Sequence, residues 1–563
     1  MKKQLLFITA MFINFIAFTQ NFQWAKRYGG IQGDVGTSIA VDGAGNIYSI
    51  GYFSETSDFD PGTAALNLTS KGGDDIFISK INASGNLVWA KSIGGVSDDA
   101  GNSIAVDKSG NIYITGYFNG TVDFDPGSGT SNLTAAGSYD IFVLKIDAAG
   151  NFAWVKGMGG AKGDLGWSLT LDGSGSIYIT GFFNGTADFD PGTATYNLVA
   201  TSTNYEDIFI AKLNASGNFV WAKKIGGNIG DTPFSIAVDA SANVYTTGTF
   251  GGGPVDFDPG SGTFNLTTVG GGDIFISKLD SSGKFVWANN FGGYQNDRGN
   301  SIATDAAGNV YCTGFFKDTV DFDPGAATLK LASAGSFDFF ISKFNSSGNL
   351  MWAKIFGAGP MDDWGFSLAT DASGNVYTTG YFNGTVDFDP GSGTNNLTSA
   401  SKNDIFILKL SSSGSFVWAK ALAGADFDQG RTIAADPSGN VYVAGSFRAT
   451  VDFDPGTATF NLNSAGADDV FLLKLGSTSG IENRNKEFNF EVYPNPANDF
   501  FTIMTQQPSE NLHYKLTDQS GRHILSGKLN SRITSINIET LKPGFYFVQA
   551  GVENMVTFKL IKR

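Results

Sequence analysis

The pentapeptide Asp-Phe-Asp-Pro-Gly occurs seven times, beginning at Asp58, Asp123, Asp188, Asp256, Asp321, Asp387 and Asp452. Successive copies lie 65, 65, 68, 65, 66 and 65 residues apart. That regularity marks one structural unit repeated seven times, and it overrides the several ordinary domains that a length of 563 residues would imply. Two other markers keep the period. A tryptophan stands at Trp24, Trp89, Trp154, Trp221, Trp287, Trp352 and Trp418, and an aspartate opens an apolar run at Asp75, Asp140, Asp207, Asp273, Asp338, Asp404 and Asp469.

Each repeat reads as four strands. In the second, Ser103 to Asp107 is a short apolar strand, and Lys108 to Asn111 is a turn in which Gly110 is free to take φ > 0. Ile112 to Phe118 is a second strand rich in β-branched and aromatic residues. A longer connection carries Asp123 to Gly127. Asp140 to Ile146 and Phe152 to Lys156 supply the third and fourth strands, joined by another glycine turn. Apolar residues at both parities mean that both faces of each sheet are covered. Four-stranded sheets repeated radially make an all-β, seven-bladed β-propeller. The first tryptophan segment precedes the first complete repeat, and the last repeat lacks one, so the N-terminal strand is expected to close the last blade. The tryptophans are read as core between blades. A glycine within each second strand (Gly116 in this repeat) is read as a close approach to the next blade.

The boundaries read as 1–19 signal peptide, 22–475 propeller, 476–489 polar linker and 490–563 a small β-sandwich. Lys2 and Lys3 precede an apolar run from Leu5 to Phe18, too short to span a membrane comfortably. The net charge of −16 argues against nucleic acid and anionic lipid, and fits cations or neutral sugars better. Cys312 is the single cysteine, so no internal disulfide forms; inside a strand it reads as a buried thiol.

In the C-terminal segment, Tyr493-Pro494-Asn495-Pro496-Ala497, Asp518 to Arg522 around Gly521, Leu541 to Phe547 with Pro543, Gly544 and Tyr546, and the basic end Lys559 to Arg563 closely resemble the type IX secretion sorting domain (type A) of Bacteroidota. The resemblance implies export, contact with the type IX secretion machinery, and release or anchoring at the cell surface. The body, through Asp107 to Tyr113 and its counterparts, resembles the SBBP β-propeller repeat family, which implies a fold and no single activity.

Both histidines, His513 and His523, lie outside the propeller, which removes histidine-based triads and zinc sites from it. Five recurring aspartates per repeat supply 35 of the 53 acidic residues, so acidity belongs mostly to the scaffold. One set, Asp34, Asp99, Asp164, Asp231, Asp297, Asp363 and Asp428, precedes the innermost strands and is expected to ring the channel as a ligand face, with Trp167 and Trp364 beside it. The loop aspartates Asp58, Asp60, Asp123, Asp125, Asp188, Asp190, Asp256, Asp258, Asp321, Asp323, Asp387, Asp389, Asp452 and Asp454 have two readings. They hold Ca²⁺ through carboxylates two residues apart, or they accept backbone N–H bonds in a turn where Pro fixes φ and Gly supplies φ > 0. No other cofactor is expected. The irregular positions Gly251 to Pro254, Asn204 to Glu206, Tyr294, Met361 and Arg448 are further places where loops could carry binding. The expected function is a non-enzymatic binding or adhesion module for a glycan, protein or matrix ligand. The alternatives are a polysaccharide-degrading enzyme on the same scaffold and a purely structural surface protein.

Overall fold

The computed structural model describes residues 19–478, 490–505, 512–519, 521–551 and 556–563. The expected signal peptide, Thr19 apart, and most of the expected linker lie outside these residues. Every regular element described is a β-strand. Asn21–Gly476 forms one compact unit, and a second includes Ser477–Arg563.

The first unit holds seven antiparallel sheets of four long strands, three of them widened to six by a short hairpin. Blade 2 runs outward from the axis in chain order as Ala100–Val106, Ile112–Phe118, Asp140–Ile146 and Phe152–Gly160. The inner strands of the other blades are Val35–Val41, Leu165–Leu171, Thr232–Val238, Arg298–Thr304, Trp364–Thr370 and Gln429–Ala435. Each packs on the next, and the first packs on the last, so they surround a central axis. Apolar clusters fill the gaps between blades. Ile76 and Ile78 of blade 1 pack with Ile112, Ile114, Phe142 and Leu144 of blade 2, and Ile39 and Phe77 of blade 1 pack with Val470 and Leu472 of blade 7.

Blade 7 is built from both ends of the propeller segment: Gln429–Ala435, Val441–Phe447, Asp469–Thr478 and Thr19–Gly30. Arg27 Nη1 lies 2.6 Å from Asp469 Oδ2 across that seam. Lys474 Nζ and Trp24 Nε1 then donate to one acceptor in blade 1, the Ala83 carbonyl, at 3.0 and 3.3 Å. Three other blades repeat this grip in full, through Lys80 and Trp89, Lys278 and Trp287, and Lys343 and Trp352. Lys80 and Trp89 both donate to the Ala148 carbonyl, at 2.9 and 3.4 Å. A Cβ on the hairpin glycine of that turn, Gly150, would stand 3.1 Å from the Trp89 ring. The tryptophans are therefore half-buried clasps between an outer strand and the next hairpin, rather than fully enclosed core. The Trp418 indole N–H finds no acceptor among the described residues. Its neighbour is blade 7, where strands from the two chain ends replace the hairpin.

The Asp107 to Tyr113 segment closes the inner hairpin. Asp107 Oδ1 accepts from the Ser109 and Asn111 N–H groups at 2.8 and 2.9 Å, and Oδ2 accepts from Asn111 Nδ2 at 2.8 Å and the Tyr113 hydroxyl at 3.3 Å. Gly110 has φ 82°, as the turn requires. The second-strand glycines differ from expectation. A Cβ on Gly116 would meet the Ala100 carbonyl at 1.9 Å and the Phe142 ring at 3.0 Å, both in the same blade. The inner strand bulges at this point, between Gly101 and Ser103, and presses on its partner. The inner-strand glycine is the one that meets the neighbouring blade: a Cβ on Gly101 would lie 2.2 Å from Ile50.

The second unit has a three-stranded sheet, Phe490–Tyr493, Phe500–Thr505 and Ile533–Asn537, and a four-stranded sheet of His523–Lys528, His513–Asp518, Gly544–Gly551 and Val556–Lys562. Phe501, Ile503, Leu516, Val548 and Leu560 form its core. The sorting-motif residues hold its edges. Asn495 bonds both ways to the last strand, at Lys559 O (2.6 Å) and Ile561 N (2.9 Å). The Tyr546 hydroxyl donates to Lys542 O at 2.8 Å, and Gly521 turns at φ 82°.

Deleting Asn21 to Gly30 removes Trp24, Tyr28 and one edge of blade 7. We expect the midpoint of thermal unfolding to fall by roughly 10 °C. An unchanged melting curve would rule out the clasp.

Candidate functional site

The aspartates expected to ring the channel do not face it. Asp34, Asp99, Asp164, Asp231, Asp297, Asp363 and Asp428 are at most 1% exposed. Asp99 Oδ2 accepts from the Gly95 N–H at 2.7 Å, and Oδ1 accepts from the Asn119 N–H at 2.8 Å. Its own N–H donates to Asp74 O of the preceding blade at 2.7 Å. This ties the blade junction to the connection after the second strand. The same cross-blade bond joins Asp34 to Asp468 O at 2.7 Å, between the first blade and the last. A carboxylate before the inner strand is thus a buried staple for junction N–H groups in six blades; in the seventh, Asp428 takes the Arg448 N–H while the Gly424 N–H goes to Asp404. Burial, opposed by the backbone N–H bonds, pushes Asp34, Asp164, Asp231, Asp297 and Asp363 up to about 7, Asp99 to about 6 and Asp428 to about 8.

The Asp-Phe-Asp-Pro-Gly loops follow the turn geometry. Asp123 Oδ1 accepts from the Asp125 and Ser131 N–H groups at 3.1 and 2.8 Å, and Asp125 Oδ1 accepts from the Gly127 N–H at 2.8 Å. Phe124 is fully buried, 4.9 Å from the Phe142 ring. The loop glycine is not among those with positive φ. A Cβ on Gly127 would instead lie 3.0 Å from the Asp125 carboxylate, a tight approach that favours glycine there. Each loop also forms a short hairpin that sequence reading treated as plain connection, Thr121–Asp123 with Asn132–Thr134 in blade 2. In places it pairs with the preceding outer strand, as Asp58 does with Gly29 and Asp188 with Gly159. Asp140, Asp188, Asp190 and Lys156 share a groove of about 320 Å³ between blades 2 and 3. Among the described residues no three His, Cys, Asp or Glu side chains converge as metal ligands.

The inner strands carry the variation. Each begins x-Gly-x-Ser, with Pro233 once for the glycine and Thr432 once for the serine. The serine is structural: Ser103 Oγ accepts from Leu169 N of the next blade at 3.1 Å. The residue between glycine and serine takes five identities in seven blades: Thr37, Asn102, Trp167, Phe234, Asn300, Phe366 and Arg431. It is the extra residue of the bulge, left out of the strand pairing. Thr37, Asn102 and Asn300 bond across to the next inner strand, at Gly101 O (2.6 Å), Gly166 O (2.9 Å) and Gly365 O (2.8 Å). The larger residues build an aromatic and cationic wall. Trp167 lies within its inner strand, not before it, half-buried and edge-to-face with Phe234 at 5.2 Å. Arg298 Cζ sits 3.3 Å over the Phe234 ring, and burial lowers its pKa to about 10. Trp364 opens its inner strand and is sandwiched by Phe315 at 4.2 Å and Tyr381 at 5.6 Å, so it is no open platform.

Sequence reading named Trp167 and Trp364 but missed Phe234, Arg298, Asn300 and Arg431. Aligning the seven x-Gly-x-Ser segments would have exposed them. Of the irregular loop positions, Arg448 is engaged by Asp468 in a two-pronged pair at 2.7 and 2.8 Å, while Tyr294 is 78% exposed. Cys312 is fully buried and free, and burial pushes its thiol up to about 12.

Comparison with known proteins bears on both units. Residues 491–563 match the secretion system C-terminal sorting domain. Residues 23–52, 88–122, 352–386 and 417–446 match the SBBP β-propeller repeat. An uncharacterized WD repeat-containing protein of Acanthamoeba polyphaga mimivirus is 25% identical over 76% of this chain, which spans 36% of that relative's length. Among solved structures, Sqt1 from Chaetomium thermophilum aligns over 81% of this chain and 100% of its own at 12% identity and a TM-score of 0.36. PorZ, a surface component of the type IX secretion system of Porphyromonas gingivalis, aligns over 95% of this chain and 100% of its own at 13% identity and a TM-score of 0.17.

The buried aspartates set a pH dependence. An unfolded Asp ionises above about pH 4, whereas burial keeps the staple protonated to about 7 in five blades. Between those limits the unfolded chain has released protons that the fold retains, so stability falls as pH rises. Melting curves taken from about pH 8 down to about pH 5 are expected to show a rising midpoint. A midpoint that falls over that range would contradict the assignment.

Proposed function

Because the chain is an SBBP-repeat β-propeller carrying a type IX secretion C-terminal sorting domain, we propose that it is a binding module working outside the cell, with its ligand held on the inner wall of the ring. The sorting domain implies secretion or attachment at the cell surface through the type IX machinery. The observation that carries the binding reading is where the repeats diverge. Gly and Ser on either side of the bulge recur almost without change, while the residue between them ranges from Thr37 to Trp167 to Arg431. A purely structural ring has no use for five kinds of side chain at seven equivalent positions of its inner wall, since packing asks for one solution repeated. A rigid scaffold that varies at one place is the arrangement of a recognition surface.

A binding role is favoured over catalysis by what this wall contains. It offers aromatic rings, amides and guanidinium groups, and the aspartates nearest to it are committed to backbone N–H groups. The purified protein is expected to bind one class on an array of glycans and matrix proteins without converting it in hydrolase and lyase screens. Trp167→Ala is expected to weaken that binding about tenfold with the fold intact. Turnover of a polysaccharide, or binding indifferent to Trp167, would contradict the reading.

A further inference from the structure

Resting on that reading, we infer that the ligand of the inner wall is an acidic saccharide, bearing carboxylate or sulfate groups that Arg298 and Arg431 receive. The propeller has four arginines: Arg27, Arg298, Arg431 and Arg448. Two serve the frame. Arg27 pairs with Asp469 and Arg448 with Asp468. The other two stand on inner strands and make no ion pair among the described residues. The Nε of each is shielded from solvent and has no hydrogen-bond partner. Asp468, whose charge reaches Arg431, is already held by both prongs of Arg448.

A guanidinium whose Nε is shielded and unpaired among the described residues loses part of its hydration without return, and a wall built only for packing would carry Met or Leu there. Arg298 Cζ sits 3.3 Å over the Phe234 ring, which covers one face of its guanidinium, and Arg431 Cζ stands 5.8 Å from the Phe366 ring. Stacking leaves the edges of the planar fork, where its N–H groups point, for an anion with two oxygens.

Other unpaired atoms narrow the ligand. Trp364 Nε1 is a second kind of orphan donor, and Asn300 Oδ1 is an orphan acceptor on a side chain 8% exposed. The donors ask for an anion and the acceptor asks for a hydroxyl. Trp167 adds aromatic surface on which the C–H face of a pyranose packs. Uronate and sulfated sugars present all three features on one ring. The wall is also lopsided. Blades 3 to 7 contribute Trp167, Phe234, Arg298, Phe366 and Arg431, while blades 1 and 2 contribute Thr37 and Asn102. This gives a chain of sugars one side on which to lie.

The test is titration calorimetry on the full chain with three probes of matched length: an oligogalacturonate, a sulfated oligosaccharide and a neutral cello-oligosaccharide. One acidic probe is expected to bind, more weakly as salt rises. Arg298→Gln and Arg431→Gln are each expected to weaken it at least about tenfold. Arg298→Lys and Arg431→Lys, which keep the charge and lose the fork, should fall between; they decide the matter if a Gln variant fails to melt cooperatively. The two acidic probes separate carboxylate from sulfate. Equal or tighter binding of the neutral probe, unchanged affinity in folded Arg variants, or preference for an acidic peptide would overturn the inference. A neutral or peptide ligand that still depends on Trp167 would leave the wall as a binding surface, whereas no ligand on the wall at all would remove both readings.

Discussion

Where one blade ends and the next begins, the chain must travel from the outer edge of the ring back to its axis. That crossing leaves N–H groups with no strand to pair with, in a place closed to water. A single aspartate per junction answers them: Asp99 takes the Gly95 and Asn119 N–H groups on its two oxygens and sends its own N–H to the preceding blade. The glycine pair just before it is fitted to two carboxylates. A Cβ on Gly94 would strike Asp75 at 2.2 Å, and Gly95 supplies the N–H to Asp99. The cost is a ring of buried acids whose ionisation the fold opposes. The acidity of the propeller is therefore in good part internal, and says less about its partners than a net charge on the surface would.

With the junctions stapled in this way, little else at the axis needs to be the same from blade to blade. The bulge places one residue per blade outside the strand ladder, with no partner across the strand to satisfy. Serine and glycine beside it keep the inner strands in contact, so the bulged residue is free to differ. Blades 1, 2 and 5 spend that freedom on hydrogen bonds to the next strand, and blades 3, 4, 6 and 7 on aromatic rings and a guanidinium group. The chain is thus regular where it must close a ring and irregular where a ligand would meet it.

Most of the architecture was legible in the sequence because it is periodic. Four strands per repeat, glycine turns and the unpaired tryptophan segment at the N-terminus all follow from a 65-residue spacing, although the inner strand begins at Ala100 rather than Ser103 and the outer one runs on to Gly160. What escaped depended on contacts between residues far apart in the chain. Asp99 carries the same charge on paper whether it faces a channel or a pair of N–H groups, and only the fold distinguishes the two. Gly127 was assigned a backbone role that the Asp125 side chain turns out to impose by its bulk. The short hairpin Thr121–Asp123 with Asn132–Thr134 has too few apolar residues to announce itself. Of the site, Trp167 and Trp364 were visible as departures from the repeat, while Arg298 and Arg431 were visible only by comparing equivalent inner-strand positions.

The staple is tested most directly by equilibrium unfolding of Asp99→Asn beside the parent chain. Asparagine keeps the shape but turns an amide N–H₂ toward a backbone N–H that the carboxylate had accepted. The account predicts a loss of about 1–3 kcal/mol from this one-atom change. Unchanged stability would mean that the blade junctions are held by something other than the buried carboxylates.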